Sequence, residues 1–172
     1  IYIVDGFPAL YRQKRIGINN TEFWVYKFRT MKKGIPDIPT HLVDENQHLY
    51  ILSGSLLRKF SIDELSQLIN ILKGEMVFIG PRPALHNQED LIQLRTEAGV
   101  HRLIPGITGW AQVNGRNAIA WEKKFEYDVY YVNNYSFLFD LRIILLTIQK
   151  VLKSDGINST TSATMEVFTG TK

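Results

Sequence analysis

Arg58-Lys59-Phe60-Ser61-Ile62-Asp63-Glu64-Leu65-Ser66-Gln67-Leu68-Ile69-Asn70-Ile71-Leu72-Lys73-Gly74 runs through the middle of a 172-residue chain. Leu65, Leu68, Ile69 and Leu72 fall at i, i+3, i+4 and i+7, so the spacing predicts a helix from Ser61 to Lys73, closed by Gly74. Ser61-x-x-Glu64 reads as a capping box, with Ser61 at the N-cap and Glu64 three residues on. Acids in a first turn also suit the helix dipole, so Asp63 and Glu64 have a purely structural explanation. The same turn admits a chemical one. Free N–H groups and partial positive charge at a helix start attract phosphate. An ionised Asp is a nucleophile toward phosphorus, and a neighbouring Glu is a hard oxygen ligand for Mg²⁺. Arg58 and Lys59 supply cations nearby.

Upstream, Tyr11–Ile16 and Phe23–Arg29 are strand-like runs joined through Gly17-Ile18-Asn19-Asn20, residues that tolerate positive φ, and predict a hairpin. Residues 33–42 hold Gly34, Pro36 and Pro39 and read as a loop. Downstream, Met76–Ile79 predicts a short buried strand, stopped by Gly80-Pro81-Arg82-Pro83. There the prolines restrict the backbone on both sides of one arginine. A planar guanidinium presented this way suits a phosphate, although a Pro-rich turn with a solvated Arg has the same sequence. Helices are predicted over 86–98 and 118–132, with a Gly-rich loop from Pro105 to Arg116 between them.

The segment Phe137–Lys153 predicts a further helix. Its wheel carries an unbroken apolar arc of Val151, Ile144, Phe137, Ile148, Leu141, Leu152, Leu145 and Leu138. Phe139, Ile143 and Leu146 lie outside that arc. Seventeen helical residues reach about 25 Å, short of a bilayer span. Two readings stay open: a two-sided core helix, or a helix lying in a membrane interface.

Composition narrows the classes. At 45% hydrophobic and 12% aromatic residues the chain can bury a core and is not disordered. It has no Cys, which removes disulfides, thiol catalysis and zinc–thiolate sites. The net charge of +3 is uneven: residues 1–34 hold seven Lys/Arg against two acids, and the rest of the chain is net negative. Such a basic patch is a solvated face or a surface for phosphates in a ligand or a membrane. Nucleic acid has no motif to support it. The four His (His41, His48, His86, His101) show no metal spacing, and no P-loop, nucleophile elbow or dinucleotide fingerprint is present.

In order along the chain come Asp5-Gly6-x-Pro8, Tyr11-Arg12-Gln13-Lys14-Arg15-Ile16-Gly17, Lys27-Phe28-Arg29-Thr30-Met31 and Leu57-Arg58. Asp63-Glu64-Leu65-x-Gln67-Leu68 and Gly80-Pro81-Arg82-Pro83 follow. Then come Arg102, Pro105-Gly106-Ile107-Thr108-Gly109-Trp110-Ala111-Gln112-Val113-Asn114-Gly115-Arg116, Asp128-x-x-Tyr131, and the tail Thr164-Met165 to Phe168-Thr169-Gly170. This ordered set resembles the bacterial sugar transferase family, the monotopic polyprenyl-phosphate phosphoglycosyltransferases, over essentially the whole chain.

The resemblance implies an α+β fold, mainly helical, with a small β-hairpin or sheet and amphipathic helices at a membrane interface, forming one catalytic domain over residues 1–172. It implies transfer of a sugar-1-phosphate from a UDP-sugar to polyprenyl (undecaprenyl) phosphate with release of UMP, the first membrane step of a surface glycan. Asp63 would be the nucleophile, forming an aspartyl-phosphosugar, and Glu64 would hold Mg²⁺. Arg58 and Arg82 would carry phosphates, assisted by Lys27 and Arg29. Asp128, Tyr131, Asp140, Arg102 and Arg116 would line the substrate pocket or support it. It further implies an apolar membrane hairpin ahead of Asp5, expected to be missing from this chain, and a place on the cytoplasmic face of the bacterial membrane. The alternative is an inactive membrane-surface interaction module of the same fold.

Overall fold

The computed structural model describes residue 1 and residues 6–33, 50–115, 119 and 121–153. The predicted loop at 33–42 falls almost wholly outside these residues, as do Asp5, Arg116 and the tail motif.

The hairpin forms as predicted. β1 (Leu10–Ile16) pairs antiparallel with β2 (Glu22–Phe28), in a register that sets Arg15 opposite Phe23 and Tyr11 opposite Lys27. Asn19 and Asn20 both take positive φ in the connection, the conformation for which Asn is suited. β2 alternates, with Phe23 and Val25 buried and Glu22 and Trp24 exposed, so one face of the ribbon is committed to the core. Phe23 and Val25 pack on Met76, with Ile71 and Ile107 against them.

The central stretch departs from its predicted form. α1 (Gly54–Lys59) precedes it, a short helix that the sequence patterning did not indicate. Ser61 is left-handed (φ 54°, ψ 24°) and makes no side-chain cap. Residues Ile62–Gln67 form a 3₁₀ segment, and regular helix begins only at α2 (Leu68–Leu72). The capping box is therefore absent. The terminus is a 3₁₀ one instead, with Glu64 N–H already donating to Ser61 C=O at 3.2 Å. A tighter three-residue turn rotates successive side chains differently from an α-helix. Here it buries Glu64, Ser66 and Gln67 and exposes Leu65.

β3 (Val77–Ile79) pairs in parallel with β4 (Gly106–Thr108), and α4 (Trp110–Val113) follows at once. The predicted Gly-rich loop at 105–116 is thus a strand and a helical turn over much of its length. The glycines serve close approach: a Cβ on Gly106 would lie 2.1 Å from Gly80 N, and one on Gly109 2.1 Å from Gly80 O. Between the strands of this pair comes α3 (Glu89–Glu97).

α5 (Trp121–Asn134) and α6 (Phe137–Lys153) complete the described fold. A second core joins Val113, Tyr131 and the fully buried Ile143, with Trp110, Phe139, Leu103, Ile79 and Leu146 packed on it. The wheel of α6 resolves in an instructive way. The three apolar residues outside the long arc face the core, while Phe137, Leu138, Leu141, Ile144, Leu145, Ile148 and Leu152 on the arc are exposed. No helix among the described residues is long and apolar enough to cross a membrane.

Candidate active site

The 3₁₀ segment, the hairpin and the Pro81–Pro83 turn converge on Asp63 and Glu64. Glu64 is buried, and its Oε1 accepts from Arg82 Nη2 at 2.8 Å and faces Lys27 Nζ at 3.4 Å. Lys27 stands on β2, and β2 is pinned to the central stretch by Asn70. The Asn70 side chain accepts from Tyr26 N–H (3.1 Å) and donates to Trp24 C=O (2.7 Å) and Glu75 (2.7 Å) with none of its surface exposed. Arg58, on α1, donates to Thr30 Oγ1 (2.9 Å) and Tyr50 OH (3.1 Å) and lies over the Tyr50 ring.

The electrostatics follow from this crowding. Burial and the adjacent Glu64 push the Asp63 carboxyl above its usual range, while Lys27, Arg58 and Arg82 pull it back. Burial lowers Lys27 to about 8, with Glu64 opposing. Glu64 raises Arg82 further. Burial and the neighbouring Arg82 work against the charge of Arg15.

A second charged layer stands behind the first. Arg95 on α3 forms a buried ion pair with Asp128 on α5. Lys124, one turn before Asp128, lies in the field of Arg82, Asp128 and Arg95, and burial lowers it to about 7. Burial raises Asp128 against the pull of Arg95. Arg15, Arg95, Lys124 and Asn70 are residues that sequence reasoning missed as part of the site. Asn70 left one signal, a polar side chain inside the apolar run Leu68–Leu72. Arg15 lies in the basic hairpin run, while Arg95 and Lys124 show no local pattern.

The remaining predicted residues lie elsewhere. Arg29 is buried and donates to Gly6 C=O at 2.8 Å, tying the chain start to the hairpin. Tyr131 OH donates to Asp140 Oδ1 at 2.7 Å, a bond that couples α5 to α6. Arg102 is exposed at the end of a single 3₁₀ turn. Arg116 lies outside the described residues.

Arg15, Lys27, Arg58, Arg82, Arg95 and Lys124 outnumber the acids Asp63, Glu64 and Asp128 that they surround. A partly buried cluster with that balance, in an α+β domain, has charge to spare for an anion. The chain belongs to the bacterial sugar transferase family, whose sequence model matches residues 1–154. It is 51% identical over 167 residues to the sugar transferase EpsL of Bacillus subtilis (strain 168), covering 96% of this chain and 80% of EpsL. It is 37% identical over 150 residues to the UDP-glucose:undecaprenyl-phosphate glucose-1-phosphate transferase of Escherichia coli (strain K12). It is 36% identical over 154 residues to the UDP-N-acetylgalactosamine-undecaprenyl-phosphate N-acetylgalactosaminephosphotransferase of Aeromonas hydrophila. These two matches cover 83% and 87% of this chain but only 32% and 36% of those longer proteins.

Proposed function

We propose that this chain transfers a sugar-1-phosphate from a UDP-sugar to polyprenyl phosphate and releases UMP, by way of a phosphosugar bound covalently to Asp63. The observation that carries this reading is the division of labour inside the acid pair. Glu64 is engaged by Arg82 and Lys27, and Asp63 lies beside it in the field of Lys27, Arg58 and Arg82.

In the first step a carboxylate oxygen of Asp63 attacks the β-phosphorus. The bond from that phosphorus to the bridging oxygen breaks, and UMP leaves with the electron pair. In the second step an oxygen of polyprenyl phosphate attacks the same phosphorus, the Asp63–phosphorus bond breaks, and the carboxylate is restored. Neither step requires a histidine base. The protein supplies alignment and neutralisation of the pyrophosphate charge, which suits a site rich in Arg and Lys.

Mg²⁺ fits the donor set. Glu64 offers the hard carboxylate oxygen this ion prefers, and Asp63 is kept for the attack on phosphorus. No group of three metal-type side chains occurs among the described residues, so Glu64 would hold the ion together with substrate oxygens and water. When bound, it supplies charge neutralisation at the pyrophosphate. The open apolar face of α6 supports placement on a membrane surface, where a polyprenyl acceptor resides.

The test supplies UDP-glucose, UDP-galactose and UDP-N-acetylgalactosamine in turn, with undecaprenyl phosphate and Mg²⁺. Release of UMP, and its loss in Asp63→Asn, is the expected result. Release of UDP would replace the proposal with an ordinary glycosyl transfer. Liposome binding without any nucleotide release would favour an inactive surface module.

A further inference from the structure

The proposed reaction uses neither Arg95 nor Asp128 directly, yet their geometry leads into the site. The Arg95–Asp128 ion pair is nearly buried, with side chains only 13% and 4% exposed, and it links α3 to α5. One terminal nitrogen of the Arg95 guanidinium is enough for that pair. The other, Nη1, donates to the backbone carbonyl of Arg82 at 2.7 Å. The next carbonyl, that of Pro83, accepts from Arg15 Nη1 at 3.1 Å. Arg15 is itself held, since its Nε and Nη2 donate to Gln13 Oε1 at 3.1 and 2.6 Å. Two consecutive carbonyls are therefore gripped by two arginines from different elements, in a turn whose proline rings already limit rotation. The side chain that branches just ahead of the first of them, that of Arg82, carries the guanidinium that meets Glu64 at 2.8 Å.

We propose that Arg95, oriented by Asp128, is a positioning residue that fixes the Arg82 peptide so that the Arg82 guanidinium lands on Glu64. Asp128 is then the counter-ion of this clamp and not a contact of the substrate. A lysine cannot replace Arg95, because one ammonium is a point charge, whereas the planar fork reaches Asp128 and a carbonyl together. The catalytic consequence rests on the reaction proposed above; the clamp does not.

Side-chain spectra of the chain labelled with ¹⁵N-arginine test it without turnover. The Arg82 signal is identified by its loss in Arg82→Lys. In Arg95→Lys that signal should move to the position of solvent-exposed arginines while the backbone amide spectrum keeps its dispersion. Asp128→Asn, which keeps an acceptor but removes the charge, should move it in the same direction. It decides the matter if Arg95→Lys does not fold. An Arg82 signal that stays in place in the folded variant overturns the proposal. So does loss of dispersion in both variants, which would make the pair a requirement of the fold alone.

Kinetics add the link to catalysis. Arg95→Lys should slow UMP release about tenfold in the parent chain and less than about twofold in the Arg82→Ala background, because it acts through Arg82. Equal losses in both backgrounds overturn the proposal. A parent chain that releases no UMP breaks the proposed function, while the spectra still decide the clamp.

Discussion

The layer around Asp63 and the layer between α5 and α6 are both buried, but they are built from opposite materials. The first is a lattice of charges and hydrogen bonds in which Arg82, Lys27, Glu64 and Asn70 each have named partners. The second is a stack of rings and aliphatic side chains: the Trp110 ring lies 4.9 Å from Phe139, Tyr131 lies 5.8 Å from Phe139, and Ile143 is fully enclosed. Charge in a low-dielectric setting is directional and costly to leave unpaired, so the first layer fixes atoms. Apolar packing is sensitive to volume and indifferent to direction, so the second layer fixes elements. The difference teaches that loss of activity and loss of stability should separate along this boundary.

The largest effect expected is on the charged side. Asp63→Asn should lower UMP release by at least about 10³-fold with little change in melting temperature. Comparable loss of both would erase the boundary. On the apolar side, Ile143→Ala leaves a cavity and should cost about 2–5 kcal/mol in urea unfolding, while the folded fraction keeps its turnover at low temperature. Asn70→Ala tests the border itself. It strands Tyr26 N–H and Trp24 C=O, should cost about 1–3 kcal/mol, and should also displace Lys27, so both readouts move together.

A smaller effect concerns pH. Lys124 is lowered from an ordinary 10.5 to about 7. Between those values the unfolded chain binds a proton that the folded chain gives up, so folding is penalised there and stability rises with pH through this window. Lys124→Met should flatten that rise and raise the melting temperature at pH 8, read from thermal scans across the window. Smallest for the fold is Leu145→Ser on the open face of α6. Unfolding energy should stay within about 0.5 kcal/mol, while partitioning onto anionic vesicles weakens.

The apolar layer was the more legible of the two in the sequence. The helix at 137–153 and the hairpin depend on local periodicity and on residues that tolerate the turn, and both appear where the spacing places them. Which face of the helix is buried was not legible, because the longer apolar arc is the exposed one. The charged layer was legible as a list of residues but not as an arrangement. Ser61 has the composition of a cap, yet its left-handed backbone belongs to a 3₁₀ turn set by packing against β2. Arg95 meets Asp128 across 33 positions, and Asn70 meets Trp24 across 46, separations that no local pattern records. Gly106 and Gly109 read as loop formers because nothing local distinguishes flexibility from close approach.

Those two glycines have a consequence of their own. Their hydrogens rest against Gly80, the residue from which the chain enters Pro81 and Arg82. A methyl group at either position would press on the root of the turn, about two residues from the guanidinium that holds Glu64. In a saturation screen scored by glycan output, these codons should therefore be as intolerant as that of Asp63, although they carry no functional group. A position can silence chemistry simply by occupying the space through which the chemistry is aimed.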